Sequence, residues 1–188
     1  PYNPSVQFLP TTRMEMTQMT ALWDEVQAND EDAQVLQTLR YIEPRVERLL
    51  ARGEGEQRSF WVRLKGQKEL VRLSSVGDGM RHLLALALNV AMSANRFLLI
   101  DEIDLGLHHS VMAKMWRMLI ESARRLNIQV FATTHSIDCI NALAEVHKEL
   151  HLTPEDLMLH RLEADLPQTI SYTPEEIVDA AKYDAEVR

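Results

Sequence analysis

Glycine is scarce in this chain: six residues of 188, at positions 53, 55, 66, 77, 79 and 106, and none is followed by lysine. A loop that wraps phosphates in backbone N–H groups needs a Gly-Lys step before Ser or Thr, so the sequence holds no such loop. Cysteine is scarcer. Cys139 stands alone, which excludes an internal disulfide and fits a reducing, cytoplasmic setting. No run approaches the ~18 apolar residues of a membrane span, and no signal-peptide pattern is present. Basic residues are outnumbered, 20 Lys/Arg against 28 Asp/Glu for a net charge of −8, which argues against a surface coated for non-specific nucleic-acid binding. The chain also starts at Pro1 without an initiator methionine, and the expectation is a piece of a longer protein.

What is present suffices for a core. At 46% hydrophobic, 188 residues can bury one domain, or one domain and a small appendage. "SVQFL" (5–9) reads as a short strand ended by Pro10. Met14, Met19, Leu22, Trp23 and Val26 lie at helical spacing within 11–28. Residues 29–56 read as a second helical region, with Pro44 a candidate break and Gly53 and Gly55 its end. "RSFWVRLKG" and "KELVRL" suggest a strand pair about a Gly66 turn. From Ser74 a glycine-bearing loop feeds the very apolar helix "MRHLLALALNVAMSA". The strand "RFLLI", the helix "SVMAKMWRMLIESARRL", the strand "IQVFATT" and a further helix follow, the βαβ pattern of a parallel sheet. "DLMLHRLE" and "QTISYT" read as a closing strand pair. Thr173-Pro174-Glu175-Glu176 is a capping-box start for a last helix.

Charge is uneven. Residues 40–81 carry ten Lys/Arg against six Asp/Glu. One reading makes Arg45, Arg48 and Arg52 the solvated face of a helix; the other sets part of the stretch against nucleic acid or a partner.

The chemistry concentrates where the apolar strands end. Ligands of a parallel α/β sheet sit beyond the carboxyl ends of its strands, and there the sequence places Asp101-Glu102 after one strand and Thr134-His135-Ser136 after the other. An acid at such an exit can hold magnesium through its water shell, a second acid can orient an attacking water, and a histidine on the neighbouring strand can touch a terminal phosphate. Other candidates are weaker. His147 and His151 are four apart, a zinc-compatible spacing, but Lys148 stands where a metalloprotease needs Glu, and His151 more simply ends a helix. Cys139 falls on an apolar helical face and reads as a buried structural thiol. His108-His109 fits a structural or intersubunit role, and Trp23, Trp61 and Trp116 fit packing.

"FLLIDE" resembles the Walker B motif of ABC-type ATPases, "TTHS" that family's switch histidine, "LSSVGDGMRHLLALAL" its signature loop and helix, and "DLGLHHS" its D-loop. Order and spacing resemble the RecF-like and OLD-like AAA ATPases, tightly over about 70–145. The resemblance implies an α/β P-loop NTPase fold, a parallel sheet flanked by helices with a helical arm near the N-terminus. It divides the chain into an arm (10–58), a signature–Walker B–switch core (59–150) and closing strands with a C-terminal helix (151–188), the P-loop half being absent. It implies ATP and Mg²⁺ as cofactors, with Asp101 as the magnesium-side acid, Glu102 as the catalytic glutamate and His135 sensing the γ-phosphate. Ser75, Gly77, Asp78 and Gly79 form the signature loop that caps the nucleotide of an opposite protomer, so the active unit is a homodimer. Leu-Ser-Gly-Gly is replaced here by "LSSVGDG", which leaves open whether Ser75 or Gly77 takes the serine's place. The roles implied are DNA repair or anti-phage defence, with DNA or an effector nuclease as partner. A non-hydrolysing scaffold that recruits a nuclease, and an OLD-type nuclease, remain as alternatives.

Overall fold

The computed structural model describes residues 5–12, 14–163 and 168–182. Its centre is a three-stranded parallel sheet of β1 (Val6–Leu9), β5 (Phe97–Ile100) and β6 (Gln129–Ala132) in the order β1-β5-β6. Val6 faces Phe97 and Phe97 faces Gln129 in register, so Leu9, Ile100 and Ala132 end level. The helix α3 (Asp78–Ala91) lies beneath this sheet. Leu83 to Ala91 are buried without exception, Asn89 included, whose amide donates to the Ala85 carbonyl at 2.8 Å. A helix apolar on every side must be an interior one. Helices α1 (Met16–Ala28) and α2 (Asp32–Ile42) cover it, and α4 (His109–Leu126) packs on α5 (Ile137–Leu150).

Leu9, Leu98 and Ile100 face the core, whereas Val6, Phe8 and Phe131 are 52%, 54% and 53% exposed. Alternation along a strand turns successive side chains to opposite faces, so one face of the sheet is packed and the other bare.

A second, antiparallel sheet comprises β2 (Val46–Arg52), β3 (Ser59–Leu64) and β4 (Val71–Arg72). Residues 46–52 were expected to continue a helix and form a strand instead. Glu43, placed before Pro44, takes φ −120° and ψ 89°, the extended geometry that a following proline imposes, and α2 stops at Ile42. Val46 and Leu49 are both buried although three apart, which imitates helical spacing because a bulge between Val46 and Arg48 shifts the strand's phase. The pair β3–β4 turns about Gly66 as expected, and β7 (Leu159–Arg161) pairs with β8 (Ile170–Tyr172). The final helix, α6 (Pro174–Lys182), has its capping box: Thr173 N–H donates to Glu176 at 2.8 Å and Glu176 N–H to the Thr173 hydroxyl at 3.4 Å.

Candidate functional site

All three parallel strands deliver polar residues to one edge: Thr11 after β1, Asp101 and Glu102 after β5, Thr133 to His135 after β6. Backbone ladders extend past the strands and fix these exits. Asp101 N–H donates to Leu9 O at 2.9 Å, Thr133 N–H to Ile100 O at 2.9 Å, and Ile103 N–H to Thr133 O at 3.0 Å.

Asp101 is held from both sides. The Thr11 hydroxyl donates to one carboxylate oxygen and the Thr133 hydroxyl to the other, the latter at 2.6 Å. These bonds, Thr11's first and Thr133's next, together with the nearby His135, hold the carboxyl below its ordinary value of 3.8. The group is therefore a fixed anion at neutral pH. Thr133 has a second task, because its oxygen accepts the Glu102 N–H at 3.0 Å. Glu102 itself sits at φ 51°, a left-handed conformation that costs a residue with a Cβ and concentrates at functional sites.

The next layer locks the loops together. The Thr134 hydroxyl donates to Asp104 at 2.5 Å and accepts the Ser136 N–H at 3.0 Å. Ser136 caps α5 by accepting Cys139 N–H at 3.2 Å. His82 of α3 is pushed below its ordinary value by burial, and its Nε2 lies 3.1 Å from the Ile103 carbonyl. Gly79 comes so close to the same loop that an added Cβ would lie 3.0 Å from Gly106 O.

The loop at 75–79 thus abuts the Asp101 loop through α3. Ser75 and Gly77 are exposed, Gly77 with φ 119° just ahead of the helix. Asp78 opens α3, and its side chain lies outside the described residues. His108 caps α4, its Nδ1 facing Ser110 N–H at 3.3 Å. His151 is the left-handed residue ending α5. The Cys139 thiol is buried and pushed up to about 11 by that burial. Trp23 and Trp116 are in the core, while Trp61 is half-exposed. Thr11 went unnoticed in the sequence, although the logic that selects Asp101 applies to it: a polar residue directly beyond a parallel strand.

Among the described residues no group of three or more His, Cys, Asp or Glu converges on a metal-sized point. Magnesium tolerates so sparse a protein set, taking one or two carboxylates with phosphate and water for the rest. Asp101 fits that demand. No glycine of the chain precedes lysine, the step on which a phosphate-wrapping loop is built.

A family model described as "AAA domain, putative AbiEii toxin, Type IV TA system" matches residues 17–139. The chain belongs to this AAA family. An uncharacterized protein of Methanocaldococcus jannaschii is 37% identical over 70 residues, 37% of this chain and 61% of that protein. An ATP/GTP phosphatase of Helicobacter pylori is 34% identical over 91 residues, 47% of this chain and 25% of that protein. The chain thus matches less than two thirds of the length of either relative. Among solved structures, an Smc head bound to the C-terminal winged-helix domain of ScpA aligns with TM-score 0.54 at 14% identity, over 90% of this chain and 54% of that one. A chain from work on ATP-driven dimerization and DNA-stimulated activation of SMC ATPases aligns with TM-score 0.52 at 14% identity, over 90% of this chain and 99% of that one. These likenesses show the fold, that of a P-loop NTPase of ABC type.

Proposed function

We propose that this chain supplies the signature, Walker B and switch half of an ATPase that works as an ATP-gated dimer, in the RecF-like and OLD-like branch, serving DNA repair or anti-phage defence. The observation carrying the reading is the doubly anchored Asp101 carboxylate beside a left-handed Glu102, opposite His135. When bound, Mg²⁺ neutralises charge on the transferring phosphate. Asp101 holds the metal side as a fixed anion that needs no reorganisation. Glu102, rooted by its amide on Thr133, polarises the attacking water. His135 contacts the terminal phosphate from the neighbouring strand, and Ser75 to Gly79 close the site of the facing protomer with helix N-terminal N–H groups.

The bare side of the sheet supports the view that a P-loop half completes the fold. A cavity of about 740 Å³ runs between β6 and the Pro154–His160 segment, lined by Val130, Ile140, Leu143, Leu157 and Leu159. Its apolar lining beside the open edge of β6 suits one further strand. On this reading residues 10–58 form the arm region, 59–150 the catalytic core and 151–188 the closing strands.

The test is turnover in the longer polypeptide that carries the Gly-Lys-Ser/Thr loop. Glu102→Gln should abolish hydrolysis while ATP still drives dimer formation in light scattering; surviving hydrolysis would remove Glu102 from its role. The 188-residue chain alone should bind ATP far more weakly than micromolar in calorimetry.

A further inference from the structure

The antiparallel sheet has an outward face that the ATPase reading does not use. Cross-strand partners share a face, and the register gives three rows: Arg48 opposite Arg63, Leu50 opposite Trp61 opposite Arg72, and Arg52 opposite Ser59. The inner rows, Val46 with Leu64, Leu49 with Val62 and Ala51 with Phe60, supply the buried side. Four arginines therefore share a face with one half-exposed tryptophan, and Arg72 lies 5.3 Å over its ring. Residues 46–72 carry seven Lys/Arg against four Asp/Glu, a net +3, in a chain whose total is −8.

Two features make this more than a solvated face. Arg48 and Arg63 stand directly opposite one another, an arrangement that opposes strand pairing unless an anion answers it. Glu47 answers Arg63 at 3.2 Å; among the described residues Arg48 and Arg52 have no acidic partner. Neighbouring basic residues are already engaged elsewhere, Arg45 with Glu43, Arg58 with Asp24, and Arg40 with the carbonyls of Val46 and Glu47. All four cations of the face are arginines, whose planar fork matches phosphate oxygens two at a time. Four residues of strand separate Arg48 from Arg52, about 13 Å, a length over which a nucleic-acid backbone presents more than one phosphate.

We infer that this face binds the phosphodiester backbone of a nucleic acid, with Arg48, Arg52 and Arg72 on phosphates, Arg63 held by Glu47, and Trp61 at the centre of the contact. The binding needs no nucleotide and stands apart from the ATPase reading.

The 188-residue chain is titrated into a fluorescein-labelled duplex of about 20 base pairs, and into one of its single strands, from about 50 to 200 mM salt. Three phosphate contacts predict a log–log salt slope of about −2.7 for duplex and about −2.1 for single strand, a loss of about 40-fold in duplex affinity over that range. Arg48→Ala should lower the slope by about one and Arg48→Lys should largely keep it. Arg125→Ala, on the far end of α4, should change nothing. With unlabelled duplex, Trp61→Phe should remove the change in tryptophan emission on binding, since Trp23 and Trp116 are buried. Circular dichroism checks each variant's fold, and the Lys variant keeps the test sound should the Ala variant unfold. Binding with a flat salt slope, an unchanged Arg48→Ala, or equally tight binding of poly-glutamate would overturn the inference, the last assigning the face to an acidic protein.

Discussion

Glu102→Gly should make the protein more stable while removing the carboxylate to which the proposed function gives the attacking water. Glu102 holds φ 51°, and a left-handed backbone costs a residue with a Cβ about 1–2 kcal/mol. Glycine escapes that cost but surrenders about 0.5–1 kcal/mol of extra freedom in the unfolded chain. The net gain is about 0.5–1 kcal/mol, or about 1–4 °C in Tm for a domain of this size. Urea unfolding followed by tryptophan fluorescence measures it, with an unchanged m-value required before the midpoint shift is read as stability. Glu102→Ala is the control, because it deletes the same carboxylate and keeps the strained backbone. Glu102→Gly should exceed Glu102→Ala by roughly 1 kcal/mol. If the glycine variant is the less stable of the two, the backbone at 102 is not strained and its conformation says nothing about function.

Other outcomes follow from the same geometry. Carbon NMR should find Asp101 titrating below 3.8, with the midpoint moving up in Thr11→Val and again in Thr133→Val. Because its folded value is depressed, Asp101 supports the fold above 3.8 and loses that contribution as pH falls through the folded value, so the stability difference between wild type and Thr133→Val should shrink in strong acid to what the lost Glu102 N–H bond costs. Cys139, buried and with its thiol pushed to about 11, should resist a thiol reagent at pH 8 until urea unfolds the chain; fast native labelling would contradict its burial. Gly79→Ala sets a methyl 3.0 Å from Gly106 O; overpacking of about 1–3 kcal/mol against about 1 kcal/mol of helix propensity predicts a net loss near 1 kcal/mol in urea unfolding. That intrachain contact also means a bulky residue at 79 perturbs the fold itself, so interface tests are better made at Ser75, which is exposed.

Much of the site was legible because its signals are local. A run of apolar residues that turns acidic in one step, as Phe97–Ile100 does before Asp101, marks a strand's exit whatever the rest of the chain does. The same holds for the capping box at Thr173 and for α3, whose apolar run from Leu83 marks an interior helix without any need of periodicity. The second strand failed the same inspection. One inserted residue moved Leu49 into phase with Val46, and a bulge has no sequence mark that separates it from a helical turn. Thr11's bond to Asp101 was hidden for a different reason. Thr11 lies 90 residues from Asp101, and only the parallel pairing of β1 with β5 makes them neighbours.

By itself, then, the sequence determined which residues are strands' ends, which helix is interior, and that a phosphate loop is not in this stretch, because each depends on residue type and spacing along one segment. Only the tertiary structure decided which carboxylate is anchored, by which hydroxyls, and which arginines share a face. Those depend on register between strands far apart in the chain, and register is a property of the sheet rather than of any one of its strands.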